Sequence, residues 1–194
     1  MTPAVLVVCG AVVSVLAGLL GVRSPRLGAL IAALAGVAWL VAAALVLAGA
    51  TSPDLVLAWP VPGGGVRVAV DALSAVFLLP IAVVGGLATW YAVEYSHSRS
   101  LRVVVGVLLA AMSLVVTAGH GLHFLLCWEA MAIAAFLAIT SDHRSPDVRR
   151  AGWVYLITTH VGTAALIAMT VLLAGRAGGL AWLPVAGPAQ AVDG

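Results

Sequence analysis

No lysine occurs in the 194 residues, and charge of either sign is scarce: nine arginines and seven acidic residues make up 8% of the chain. An ordinary soluble domain carries about 25% charged residues. With 63% hydrophobic residues and a mean hydropathy of +1.18, the chain holds more apolar surface than a soluble core of this length can hide. These shortages exclude a soluble enzyme, a nucleic-acid-binding domain and a disordered tail. They indicate an integral membrane protein. The net charge of +2 is too small to suggest a polyanion partner. Cysteine is nearly absent: Cys9 and Cys127 stand alone in apolar runs, with no CxxC pair. Both read as small buried hydrophobes, and no ligand set for a metal, flavin or other cofactor is visible.

What is present is long uncharged runs. A bilayer-spanning helix needs about 20 mostly apolar residues. Residues 3–22, 27–49, 72–93 and 103–119 are uncharged; 121–140 is apolar except for His123 and Glu129, and 151–175 except for His160. The expectation is an all-α polytopic membrane protein with six transmembrane helices. Strand alternation of the β-barrel kind is absent. The first run lacks the basic residue that precedes the apolar stretch of a signal peptide, so it reads as a retained helix. Pro80 falls inside the third span, where it removes a backbone hydrogen bond and predicts a kink near Gly85 and Gly86.

The arginines set the orientation. Arg23, Arg26, Arg99, Arg102, Arg144, Arg149 and Arg150 fall on one side of the membrane, and Arg67 and Arg176 on the other. Seven against two places the first group in the cytoplasm and both termini outside it, in the inner (plasma) membrane of a cell. Residues 50–70 form a long outer loop. Pro53, Pro60, Pro62 and Gly63-Gly64-Gly65 punctuate β-type stretches at 55–59 and 66–70, which predicts a short hairpin on the membrane surface. The triple glycine lacks the strand–glycine–helix setting of a phosphate loop. Trp59, Trp90, Tyr91, Tyr95, Trp153 and Trp182 sit near span ends, as an aromatic belt would.

The polar groups inside the spans carry the functional argument. An acidic or basic group at the centre of a span costs about 2.5 to 3.5 kcal/mol on insertion scales, and a residue that bears this cost usually faces protein or a water-filled path. Glu129 and His160 qualify. Each lies about 14 Å into an antiparallel neighbouring helix, so both reach the midplane. Burial disfavours a charged carboxylate and a nearby cation favours it, so a carboxylate between those influences can gain and lose a proton. Imidazole can accept or donate at either nitrogen. That chemistry suits a proton relay, although each residue can also serve only to fix helix packing. His120 and His123 read as interfacial residues at the outer end of the fifth helix, or as places where protons enter or leave. Asp71 begins the third helix, where an acid suits the dipole, and Glu94 reaches the interface at its far end. Asp142, His143 and Asp147 share a loop with Arg144, Arg149 and Arg150, solvated or docking a partner subunit.

Three segments carry a family resemblance. Phe124-Leu-Leu-Cys-Trp-Glu-Ala-Met-Ala-Ile-Ala-Ala-Phe-Leu resembles the Trp-Glu helix of the antiporter-like proton-translocating subunits of complex I, cation/proton antiporters and membrane-bound hydrogenases. Arg150-Ala-Gly-Trp-Val-Tyr-Leu-Ile-Thr-Thr-His-Val-Gly-Thr is similar to the next helix in the hydrogenase-4 and formate hydrogenlyase branch of that family. Asp71-Ala-Leu-Ser-Ala-Val-Phe, with Tyr91 and Tyr95 beyond it, resembles the family's third helix.

The resemblance implies that Glu129 is the family's mid-membrane glutamate, whose protonation is coupled to a lysine two helices later; His160 is carried over beside it. It implies inverted repeats with broken helices. This chain departs from the pattern: it has no lysine and six spans where members have more than twice as many. Residues 1–49 then form an N-terminal helix pair, 50–70 the outer loop, 71–175 the start of the channel repeat, and 176–194 an outer Pro/Gly-rich tail or interhelix loop. The expected reading is the N-terminal part of a longer subunit, or a split subunit completed by another chain; a degenerate relative is the third possibility. Partners implied are the other membrane-arm subunits, a chain or segment carrying the remaining helices, peripheral hydrogenase or dehydrogenase subunits that hold the redox centres, and the lipid bilayer. The competing readings are a structural or assembly subunit without its own ion path, and a small independent transporter.

Overall fold

The computed structural model describes residues 1–57, 59, 65–95, 98–142, 144–177 and 179–180. The expected turn at Pro60, Pro62, Gly63 and Gly64, together with His143, Trp182 and the tail at 183–194, lies outside the described residues. Among the described residues, six helices are long and apolar enough to span a membrane: α1 (Pro3–Gly21), α2 (Pro25–Leu47), α3 (Ala72–Tyr95), α4 (Arg99–Val116), α5 (Gly121–Ile139) and α6 (Pro146–Ala177). Two short antiparallel strands, β1 (Leu55–Leu57) and β2 (Val66–Val68), pair between α2 and α3, with Val56 opposite Arg67. The expected all-α membrane architecture with its small hairpin is therefore present.

Helix starts follow local chemistry. Pro3 and Pro25 occupy first-turn positions, where a missing N–H costs nothing. The Ser74 N–H donates to Asp71 Oδ1 at 2.7 Å, so Asp71 caps α3. Ser98 caps α4 by accepting from the Leu101 N–H at 3.3 Å. The sixth helix begins at Pro146 rather than at 151, with Arg149 and Arg150 inside its first turns. Arginine is a good helix former, so the basic cluster does not interrupt the helix. At 32 residues α6 is about 48 Å long, more than a bilayer core of about 30 Å requires.

Packing relies on small residues, because apolar side chains gain little by leaving lipid for each other and close backbone approach supplies the attraction. α1 lies between α2 and α4, and α2 packs on α3, so the first two helices join the later ones in one bundle. A Cβ on Gly28 would fall 2.5 Å from the Gly21 Cα, and one on Gly106 would fall 2.5 Å from the Ser14 carbonyl oxygen. At that second crossing the Ser14 hydroxyl donates to the Gly106 carbonyl at 3.0 Å. Trp39 fills the α1–α2 seam, donating from its indole N–H to the Val7 carbonyl at 3.2 Å. Cys9 is exposed on the outer face of α1, not buried as expected, and Cys127 is half-buried. α3 runs through Pro80 as one helix.

The hairpin is fastened to the end of the bundle. Val68 bridges to Ala118, the Ala69 N–H donates to the Thr117 carbonyl at 2.9 Å, and Arg67 pairs with Asp54, its Nε donating at 2.6 Å. The buried share of each span falls from 44% in α1 to 11% in α6, so α6 stands at the margin of the bundle with most of its surface open.

Candidate functional site

Glu129 lies near the middle of α5, and His160 and Thr163 lie near the middle of α6. A spacing of three puts those two side chains on one face of α6, and that face meets Glu129. The Thr163 hydroxyl donates to Glu129 Oε1 at 2.6 Å. His160 Nε2 is 3.9 Å from Glu129 Oε2, inside ion-pair range but beyond a direct hydrogen bond. His160 Nδ1 is 2.8 Å from the Leu156 carbonyl oxygen. A carbonyl only accepts, so Nδ1 is the protonated nitrogen and Nε2 of the neutral ring is the acceptor. Nε2 and Oε2 thus face each other as two acceptors around a place for one proton. A proton taken up there could rest on either group, giving imidazolium and carboxylate or imidazole and carboxylic acid.

Exposure is graded across this cluster. Thr163 is buried at 7%, the Glu129 side chain is 32% exposed, and His160 is 53% exposed on the open margin of α6. The carboxylate is therefore held at a seam, with its threonine side inside the chain and its histidine side facing outward. Phe124 and Trp128 stack at 5.9 Å on the same helix, and the buried indole N–H of Trp128 has no hydrogen-bond partner among the described residues.

The other sequence candidates lie elsewhere. His120 caps α5, accepting from the Leu122 N–H at Nδ1 over 3.2 Å. His123 is buried in the first turn of α5; its Nδ1 donates to the Arg67 carbonyl at 2.8 Å, and the Gly119 N–H donates to the same oxygen at 2.8 Å. It lies nearly two turns, about 9 Å, from Glu129 toward the hairpin end of α5, and its visible work is to hold the hairpin on α5. Asp71 is the cap of α3, and Glu94 is exposed at the opposite end of that helix, beside the stacked and exposed Tyr91 and Tyr95. Among the described residues no three His, Cys, Asp or Glu side chains gather as a metal site. Thr163 is not singled out by the sequence. Its one signal is its place three residues after His160, on the same helical face.

No protein-family model matches the chain. It is similar to two uncharacterised proteins from strains of Mycobacterium tuberculosis, each 36% identical over 124 residues, which is 62% of this chain and 19% of the relative. The chain thus spans about a fifth of the length of the curated relatives it matches. Among solved structures it resembles a chain of the membrane-bound sulfane sulfur reductase, an archaeal respiratory membrane complex, with TM-score 0.73 and 19% identity over 89% of this chain and 28% of that one. At that identity the likeness establishes the fold: this arrangement of spans is one that a respiratory membrane complex contains.

Proposed function

We propose that the chain is the N-terminal part of an antiporter-like, proton-translocating membrane subunit of a respiratory complex of the hydrogenase-4, formate hydrogenlyase or complex I-like kind, with Glu129 as its mid-membrane relay carboxylate. The observation that carries the reading is the Glu129–His160 pair: two acceptors facing each other across 3.9 Å at mid-span. A pair with room for one proton between its members can take one up and pass it on when either partner's surroundings change. The likeness in fold to a chain of a respiratory membrane complex supports the same reading.

His160 and about a third of the Glu129 side chain are open at the margin of the bundle, which fits a site completed by further helices. Those helices would belong to the rest of the protein or to another membrane-arm subunit, and the redox chemistry to peripheral hydrogenase or dehydrogenase subunits. The seven-arginine end of the bundle faces the cytoplasm in this reading, and the hairpin end faces out, in the plasma membrane.

One observation favours a second reading. The short Thr163 bond is also what a packing role would use, since polar side chains join membrane helices. Glu129→Gln separates the two. Gln keeps the shape and hydrogen-bonding capacity but cannot ionise, and a neutral amide is cheaper to bury than a charge. In vesicles holding the assembled complex, the relay reading expects proton translocation near background at normal subunit levels. Normal translocation by Glu129→Gln would leave the packing role alone. Moving the carboxylate one position, with Trp128→Glu in the Glu129→Gln background, turns it by about 100° and is expected not to rescue.

A further inference from the structure

Threonines inside helices commonly turn the hydroxyl back onto the carbonyl one turn earlier. Thr89, Thr140, Thr158 and Thr170 do so at 2.7 to 2.8 Å. Thr163 departs from them. Its distance to the Thr159 carbonyl oxygen is 3.1 Å, while Glu129 Oε1 is closer at 2.6 Å. A hydroxyl has one proton and two lone pairs, so it serves one of these acceptors fully at a time.

We propose that Thr163 is a positioning residue that satisfies Glu129 in both of its protonation states, an inference that rests on the relay reading. With Glu129 ionised, the Thr163 hydroxyl donates to Oε1, since a charged acceptor outcompetes a neutral carbonyl. When a proton arrives from His160 on Oε2, the oxygen that faces it, Oε1 becomes a neutral carbonyl oxygen that still accepts from the Thr163 hydroxyl, and the threonine proton can swing between Oε1 and the Thr159 carbonyl. The carboxyl gains one proton, the relay partner loses one, and Thr163 keeps its own. The only movement at Thr163 is rotation about its C–O bond. Neither state strands an unpaired polar group in the seam, which would otherwise carry the full cost of desolvation. The carboxyl can therefore change state without repacking α5 against α6.

The other charged and titratable groups on the packed elements lie elsewhere along them. Arg99 and Arg102 stand at the start of α4, His120 and His123 at the hairpin end of α5 with Cys127 between them and Glu129, Asp147, Arg149 and Arg150 at the start of α6, Tyr155 between these and His160, and Arg176 at its end. Among the described residues, His160 is the ionisable group within ion-pair range of Glu129.

The test is infrared difference spectroscopy with a pH jump on the full-length protein in its assembled complex. The Glu129 carboxylic C=O band is identified by its loss in Glu129→Gln. In Thr163→Val the band is expected at higher wavenumber, because its hydrogen bond is gone, and proton translocation should fall by about tenfold or more. Thr163→Ser should restore both. If Thr163→Val does not accumulate, Thr163→Ala makes the same comparison. A band unmoved by removal of the hydroxyl overturns the role of Thr163 and leaves the relay reading in place. A Glu129→Gln that loses no band and translocates normally removes the relay reading, and the Thr163 proposal with it.

Discussion

His160 turns one ring nitrogen to its own helix and the other to Glu129. Nδ1 is 2.8 Å from the Leu156 carbonyl oxygen, and Nε2 is 3.9 Å from Glu129 Oε2. The backbone bond fixes the tautomer and leaves Nε2 as the ring nitrogen nearer the carboxylate, so the imidazole is held in place before any proton arrives.

This orientation predicts an order of effects. His160→Ala should lower proton translocation by less than Glu129→Gln, because the carboxylate keeps its Thr163 contact. His160→Gln should not restore it, since an amide cannot take up the proton. Translocation assays on vesicles with matched subunit levels check this; a His160→Gln that behaves as wild type would show that titration of the ring is not used.

The end of the bundle carrying seven arginines should be cytoplasmic. A reporter fused after Gly49 should be active only as an outside reporter, and one fused after Arg144 only as an inside reporter. The reverse pattern would invert the orientation read from the positive-inside bias.

His123 should matter for the hairpin rather than for proton transfer. His123→Leu deletes a bond to the Arg67 carbonyl, but the Gly119 N–H still satisfies that oxygen. The expected cost is therefore about 1 kcal/mol. It should appear as a lower thermal midpoint and faster proteolysis between β1 and β2, with translocation retained.

Two glycines should answer an added methyl group in opposite ways. A Cβ on Gly106 meets the Ser14 carbonyl oxygen at 2.5 Å, whereas one on Gly86 meets nothing within 4 Å. Gly106→Ala should push α1 from α4 and destabilise the chain by about 1 to 3 kcal/mol. Gly86→Ala should be neutral or stabilising by up to about 1 kcal/mol, because alanine is the better helix former. Thermal unfolding in detergent compares the two directly.

Charge scarcity is enough to read six spans from the sequence, because a bilayer admits so few backbone solutions, and Pro and Gly around two β-type stretches are enough to read the short hairpin. The cost of an ionisable group at mid-span is enough to single out Glu129 and His160. The start of α6 is not legible in the same way, because Arg149 and Arg150 look like a loop; they lie on a helix that Pro146 opens and that extends beyond the apolar run.

Rotation about the helix axes decided the rest. Trp39 looks like any apolar residue of a span, yet a glycine on the facing helix, Gly10, makes room for its indole against the Val7 carbonyl. His123 reads as an interfacial histidine, and only the fold brings the Arg67 carbonyl of β2 over it. Thr163 is one threonine among several that can bond to their own helix, and only the way α5 lies on α6 sets its hydroxyl nearer to Glu129 than to Thr159. Sequence spacing determines which residues share a face of one helix. Which face meets which neighbour is settled by close packing at small residues such as Gly28 against Gly21 and Gly106 against Ser14, the second a contact between segments far apart in the chain.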